Sequence, residues 1–224
     1  MSRVLPYCAY LERDGLTLPH SGVEKSPVAV VQSGSVRLLW SEIPWPFQPE
    51  HLQQNAVEFH DVVHHVFRQT AVIPFRLLST FEDAGLLKRF VAEHQVAMAA
   101  DLDRLASYVQ MESVIYTIAE RPGPAASGTE YLRARAQQAG TIREHAERLS
   151  AAVADVGAEV RLRENKNGIR LFALVNRGAE HGFHDAITGV AVPNGVSRRI
   201  SGPWPAAEFM SEEVKMPALV TRNE

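Results

Sequence analysis

An Asn-Gly pair, Asn167-Gly168, lies between two strand-like runs of the sequence. Asn-Gly is the strongest short-range signal for a tight β-hairpin, because such turns need positive φ angles. The run 159–164 alternates charged and apolar side chains, and the run 169–175 is the most apolar of this half of the chain. We therefore predict two adjacent antiparallel strands joined by the turn 165–168.

Helical and strand-like patterns lie on both sides of this hairpin in the sequence. A long helix is predicted at 129–156, ended by Gly157 in the way that helices often end. A short helix is predicted at 182–189, and further strands at 107–119 and 197–201. Counted from Ser107, the order is β-α-β-β-α-β, which is the ferredoxin-like order. Two helices on one face of a four-stranded antiparallel sheet would bury a single core.

The first half of the chain predicts a smaller α+β domain. Its predicted strands are 4–11, 28–31, 36–43 and 71–73, and a helix is predicted at 50–68. The runs 28–31 and 36–43 should form a hairpin around Ser33-Gly34. The first of them is almost continuously apolar, so we expect it to be a central, buried strand.

A second long helix is predicted at 83–105, with Thr80 or Asp83 as its N-cap, and we expect it to join the two halves. The fold class is therefore α+β, with a small N-terminal sheet domain and a modified ferredoxin-like domain joined by long helices. The expected divisions are 1–80 for the first domain, 81–106 for the connecting helix, 107–210 for the ferredoxin-like domain and 211–224 for a tail.

Composition narrows the function classes. Hydrophobic residues make up 46 % of the 224 residues, which is ordinary for a globular core. The formal charge of −3 gives no support for binding nucleic acid. No signal-peptide pattern and no apolar stretch of about 20 residues is visible, so we expect a cytoplasmic protein without a membrane span. The single cysteine, Cys8, lies in an apolar run and is interpreted as a buried hydrophobic residue.

Two histidine groups could suggest chemistry. His60 and His64 share one face of a predicted helix, but a zinc site needs three or four ligands, so no metal is expected. His181 and His184, with Asp185, could act as acid–base groups, although no nucleophile accompanies them. Phosphate-loop and dinucleotide motifs are absent. We expect no cofactor and no catalysis, and an enzyme using these residues is kept as an alternative.

The segment Gly202-Pro203-Trp204-Pro205 is the most unusual in the chain. Prolines on both sides of Trp204 make it stiff and extended, so it cannot join an inner strand. The indole either packs back onto the domain or contacts a partner, and its large apolar surface favours packing.

Several segments, in order along the chain, resemble the gas vesicle protein F and L family (GvpF/GvpL). They are 70–76 followed by Phe81, 128–132 at the start of the long helix, the strand 169–176, and 202–205 followed by Phe209. The chain departs from the family pattern at Leu77-Leu78-Ser79 and at Ala206-Ala207-Glu208. The resemblance identifies it as a divergent member.

The resemblance implies an accessory protein of gas vesicle assembly that is not an enzyme and is associated with gas vesicles in the cytoplasm. Its partners would be the hydrophobic shell protein and other accessory proteins. The alternative is a protein-binding module of the same fold that serves another assembly. The expected protein-binding residues lie in the resembling segments: Pro74, Arg76, Tyr131, Gly202, Pro203, Trp204, Pro205 and Phe209.

Overall fold

A computed structural model of the protein describes residues 1–118, 128–165 and 168–215. These residues form two compact units, one made of 1–107 with 205–215 and the other of 108–204. The predicted turn residue Asn167, the predicted loop 121–127 and residues 216–224 of the predicted tail lie outside the described residues.

The first unit contains one antiparallel sheet of order β2-β3-β1-β4 and two long helices. Its elements are β1 (Ser2–Leu11), β2 (Ala29–Ser33), β3 (Val36–Pro44), α1 (Leu52–Phe67), β4 (Ile73–Pro74) and α2 (Ala84–Arg104), with short 3-10 helices at Val23–Lys25, Pro49–His51 and Ala207–Phe209. The predicted hairpin of β2 and β3 and both predicted helices are confirmed.

The central buried strand of this sheet is β1. Every residue from Val4 to Tyr10 is buried, which requires cover on both faces of the strand. The predicted central place of 28–31 is wrong, because β2 lies at the edge of the sheet and Val30 is 42 % exposed. Four apolar residues cannot reveal a strand's position in a sheet. That position is set by β3, which pairs with both β1 and β2.

Helix α2 belongs to the first unit. The Asp83 Oδ1 atom accepts a hydrogen bond from the Leu86 amide at 2.8 Å, which confirms this residue as the N-cap. The helix packs across β1, β2 and β3 and buries Val91 and Met98. The expected divisions therefore differ from the observed ones at 81–106, which is part of the first unit, and at 205–210, where the chain returns to it.

The second unit has the ferredoxin-like sheet order β6-β7-β5-β8, with every pairing antiparallel, as predicted. Its elements are β5 (Tyr108–Thr117), α3 (Gly128–Val153), β6 (Gly157–Asn165), β7 (Gly168–Asn176), α4 (Glu180–Gly189) and β8 (Val196–Trp204). The expected role of Gly157 as a helix terminator is wrong. It is the first residue of β6, where a Cβ atom would lie 3.3 Å from the Val153 carbonyl oxygen.

The two faces of the second sheet differ. On β5, the odd-numbered residues from Val109 to Ile115 are buried on the face that carries the helices. On the same face, Arg198 of β8 donates hydrogen bonds to the carbonyl oxygens of Val190 and Thr188 at the end of α4. The even-numbered residues of β5 lie on the opposite face, where Tyr116 is 38 % exposed.

Candidate protein-binding surfaces

The expected binding residues Pro74 and Arg76 lie beside an exposed turn in the first unit. Pro74 is half-buried in β4, opposite Cys8. The carbonyl oxygen of Arg76 accepts a hydrogen bond from the Ser79 amide at 2.9 Å, and this closes a turn in which Leu78 is 57 % exposed. The departure from the family pattern therefore places a large apolar side chain in solvent.

Tyr131 lies in the exposed first half of α3. Every residue from Gly128 to Gly140 is exposed, and burial of the helix begins near Ile142. Within this half, Tyr131 is 43 % and Leu132 65 % exposed. Two adjacent large apolar side chains thus face water on a helix that the core does not cover.

The Gly202-Pro203-Trp204 segment ends the edge strand β8, so the prediction that it cannot join an inner strand is confirmed. Gly202 has φ +121°, and a Cβ atom there would lie 2.9 Å from the Gln110 carbonyl oxygen. Glycine is therefore required where the β5–β8 register shifts. The Trp204 ring is half-buried, and its Nε1 donates a hydrogen bond to the Ser201 hydroxyl at 3.3 Å.

The segment after Pro205, which is itself half-buried, is anchored to α2 of the first unit. The Phe209 side chain is 1 % exposed, and its carbonyl oxygen accepts a hydrogen bond from Arg104 at 2.7 Å. The buried Asp101 carboxylate pairs with Arg104 at 2.6 Å and accepts hydrogen bonds from the Ser211 amide and hydroxyl at 2.7 and 2.9 Å. Phe209 is thus an anchor of the first unit. Sequence reasoning missed Asp101, since one acidic residue in a helix carries no distinctive signal.

The loop after β1 is fastened to α1 by polar contacts that sequence reasoning also missed. The Gln69 side-chain amide makes reciprocal hydrogen bonds with the backbone of Thr17, at 2.9 and 3.0 Å. Further along the loop, the Glu24 amide donates to Glu58 at 2.8 Å and the Glu24 carboxylate accepts from Asn55 at 3.2 Å. Asn55 and Glu58 lie one turn apart in α1, and Gln69 follows the end of that helix.

His60 and His64 lie close together on α1, and Cys8 lies in the core of the first unit. The rings of His60 and His64 lie 5.4 Å apart, and burial, followed by the charges of His60 and Arg68, lowers the pKa of His64. Among residues 1–118, 128–165 and 168–215, no cluster of three or more His, Cys, Asp or Glu side chains could hold a metal ion. Cys8 is buried as predicted, and burial raises the pKa of its thiol.

The alternative acid–base group lies in open solvent. His181 Nε2 is 3.9 Å from an Asp185 carboxylate oxygen, with the side chains 91 % and 71 % exposed. Water at such a site weakens the pair and leaves reacting groups unshielded. A cavity of about 690 Å³ in the same unit lies elsewhere, against Ile142 and the bidentate Arg143–Glu164 ion pair.

None of the helices in the described part of the chain combines the length and apolar character needed to cross a bilayer.

The fold defines a class: an α+β protein of two sheet-containing units, the second of them ferredoxin-like. Within that class, the chain belongs to the GvpL/GvpF family of gas vesicle synthesis proteins, whose family model matches residues 5–211. Membership assigns the protein a gas vesicle-related role and places it in a structural and accessory family. No curated protein sequence matches the chain.

Two solved structures share the fold. The gas vesicle protein GvpF from Anabaena sp. PCC7120 superposes with a TM-score of 0.73 at 10 % identity, over 92 % of this chain and 94 % of that one. GvpF from Microcystis aeruginosa superposes with a TM-score of 0.69 at 12 % identity, over 91 % and 97 % of the two chains. The two-unit architecture is therefore retained although few residues are identical.

Proposed function

We propose that this protein is an accessory factor of gas vesicle assembly that binds the hydrophobic shell protein, together with other accessory proteins, and acts without catalysis. The observation that carries the proposal is the family match over residues 5–211. The expected site of action is the cytoplasm, in association with gas vesicles.

The exposed half of α3 is the contact surface that we propose for the shell protein. An aggregation-prone apolar subunit needs exposed apolar side chains on its binding partner. Tyr131 and Leu132 supply them, at 43 % and 65 % exposure. Aromatic and leucine side chains on one helix also suit an amphipathic helix of a partner. Trp204 is a second candidate contact because its ring is only half-buried.

A pull-down tests the proposal. The protein serves as bait, and the small gas vesicle shell protein is co-expressed. We expect the wild type to retain shell protein and Y131A/L132A to retain about tenfold less at unchanged melting temperature. V96A is the control, since Val96 is 78 % exposed on α2, outside the proposed surface. Equal losses in V96A and Y131A/L132A would contradict the proposed contact surface.

Trp204→Ala distinguishes the two roles of the indole. Weaker retention at unchanged stability would place Trp204 at the interface, whereas retention lost together with stability would make it a packing residue. If the wild type retains no shell protein under conditions in which a GvpF protein does, the assembly role fails. The module serving another assembly is then favoured, and the exposed Leu78 in the divergent turn supports that alternative.

A further inference from the structure

The sheet face that carries the even-numbered residues of β5 also carries a transverse row of arginines. In the strand register, Arg163 of β6 lies opposite Arg170 of β7, Arg170 opposite Val114 of β5, and Val114 opposite Arg199 of β8. Residues paired across antiparallel strands point to the same face, so one line across all four strands holds three arginines and no acidic residue. All three arginines are exposed.

Strand pairing alone does not favour this row. Like charges placed directly opposite each other on neighbouring strands destabilise a sheet, and Arg163 and Arg170 are such a pair. The helices lie on the other face, where Arg198 of β8 holds the end of α4. The whole chain has a formal charge of −3, so the row is a local concentration of positive charge in an acidic protein.

Neighbouring contacts show how carboxylates fit this face. The side chain of Glu112, one of the buried acidic residues, lies beside the row and pairs with Arg170 through Nε at 2.5 Å. The Arg170 guanidinium is also stacked over the Phe172 ring, 5.4 Å from its centroid. Half-buried Val114 and partly exposed Tyr116 supply apolar surface between the charges. Guanidinium groups set in apolar surroundings bind carboxylates with good geometry.

We propose that this arginine row binds an acidic segment of a partner protein. Neighbouring strands are about 4.8 Å apart, so Arg163 and Arg199 are separated by about 14 Å. Two carboxylates four residues apart in an extended segment are about 13 Å apart and point to the same side. A segment with acidic residues at i and i+4 that crosses the strands therefore matches the row. The short row and its apolar surroundings fit such a segment better than the long phosphate backbone of a nucleic acid.

Fluorescence anisotropy with synthetic peptides tests this surface independently of the shell protein. The probe is a labelled acidic peptide of about 12 residues with glutamates at i and i+4. Its control is a permuted peptide of the same composition with adjacent glutamates. We expect the wild-type chain to bind the spaced peptide, more weakly as salt rises, and to bind the permuted one at least about threefold more weakly.

The variant R163E/R199E should weaken binding of the spaced peptide about tenfold or more. R89E/R148E makes the same change in net charge at exposed arginines outside the row and should stay within about twofold of wild type. Arg170 is left unchanged, because its removal would strip the buried Glu112 of its partner. Melting curves of both variants confirm that each is folded.

The inference is overturned if the wild type does not bind the spaced peptide, if the permuted peptide binds equally, or if both double variants lose binding alike. Tighter, row-dependent binding of single-stranded DNA or polyphosphate would also overturn it, since the partner would then carry phosphate.

Discussion

The two sheets have the same number of strands and the same antiparallel pairing, but their central strands are covered differently. β1 of the first unit is buried on both faces from Val4 to Tyr10. β5 of the second unit is buried under helices on one face, while the other face passes from buried Glu112 to exposed Tyr116. A strand enclosed on both faces can only be core, whereas a sheet face that is partly open keeps room for charged side chains and a partner.

Truncating one leucine in each unit should give the largest difference in unfolding free energy between the units. Leu5 in β1 is fully buried, so Leu5→Ala should cost about 3 kcal/mol of unfolding free energy through lost burial and a cavity. Leu162 in β6 is 39 % exposed, so Leu162→Ala should cost less than about 1 kcal/mol. Hydrogen exchange, read separately for the amides of each unit, measures both effects, because it reports the free energy of opening region by region. Equal costs would show that β1 is no more tightly enclosed than β6.

Adding one methyl group in each unit should give a smaller difference in unfolding free energy between the units. A Cβ atom at Gly22 would lie 2.1 Å from the Tyr7 hydroxyl oxygen, and that ring is fully buried and held by the Val23 amide at 2.9 Å. Gly22→Ala should therefore destabilise the first unit by about 2 kcal/mol. At Gly182 in α4 the nearest atom would be 3.6 Å away, so Gly182→Ala should be neutral or stabilise by up to about 1 kcal/mol. Urea unfolding of the two variants checks this. An unchanged midpoint for Gly22→Ala would contradict the close approach to Tyr7.

The smallest expected effect is a pH dependence confined to the second unit. His145 of α3 is fully buried, and among the described residues neither of its ring nitrogens has a hydrogen-bond partner. Burial, followed by the charges of Arg148 and Arg198, lowers the pKa of His145. In the window below about pH 6.5 the unfolded chain binds the proton more readily than the folded one, so stability should fall as the pH falls through that window.

His145→Leu should flatten this slope, whereas His184→Gln, at an exposed histidine of α4, should leave it unchanged. Thermal unfolding at a series of pH values measures the slope. An identical slope in wild type and His145→Leu would show that this histidine does not sense pH.

The helices of both units and the strand order of the second unit could be predicted from the sequence because their signals are local. Apolar spacing, the Asp83 cap, the alternation in β6 and the apolar run in β7 each depend on residues close together in the chain. The edge position of β2 could not be predicted, since a four-residue apolar run fits an inner strand equally well. The role of Gly157 was missed because a glycine next to a helix can serve either as a terminator or as a point of close approach, here to the Val153 carbonyl.

The candidate binding residues also include some that local sequence patterns predict and some that they do not. The resembling segments identify the family, whereas the expected binding residues remain a prediction. Tyr131 is exposed on α3 in the second unit, and Phe209 is buried against α2 in the first unit. The arginine row joins residues from three strands far apart in sequence, so no local pattern could reveal it.

Periodicity, caps and short motifs are set by neighbouring residues, so the main helices and strands, the ferredoxin-like order and the family could be predicted without the structure. The three-dimensional fold was needed to see which faces are covered, where the chain returns to the first unit, and which charges meet across strands. Those features depend on pairing register and packing between distant segments, which a linear pattern does not record.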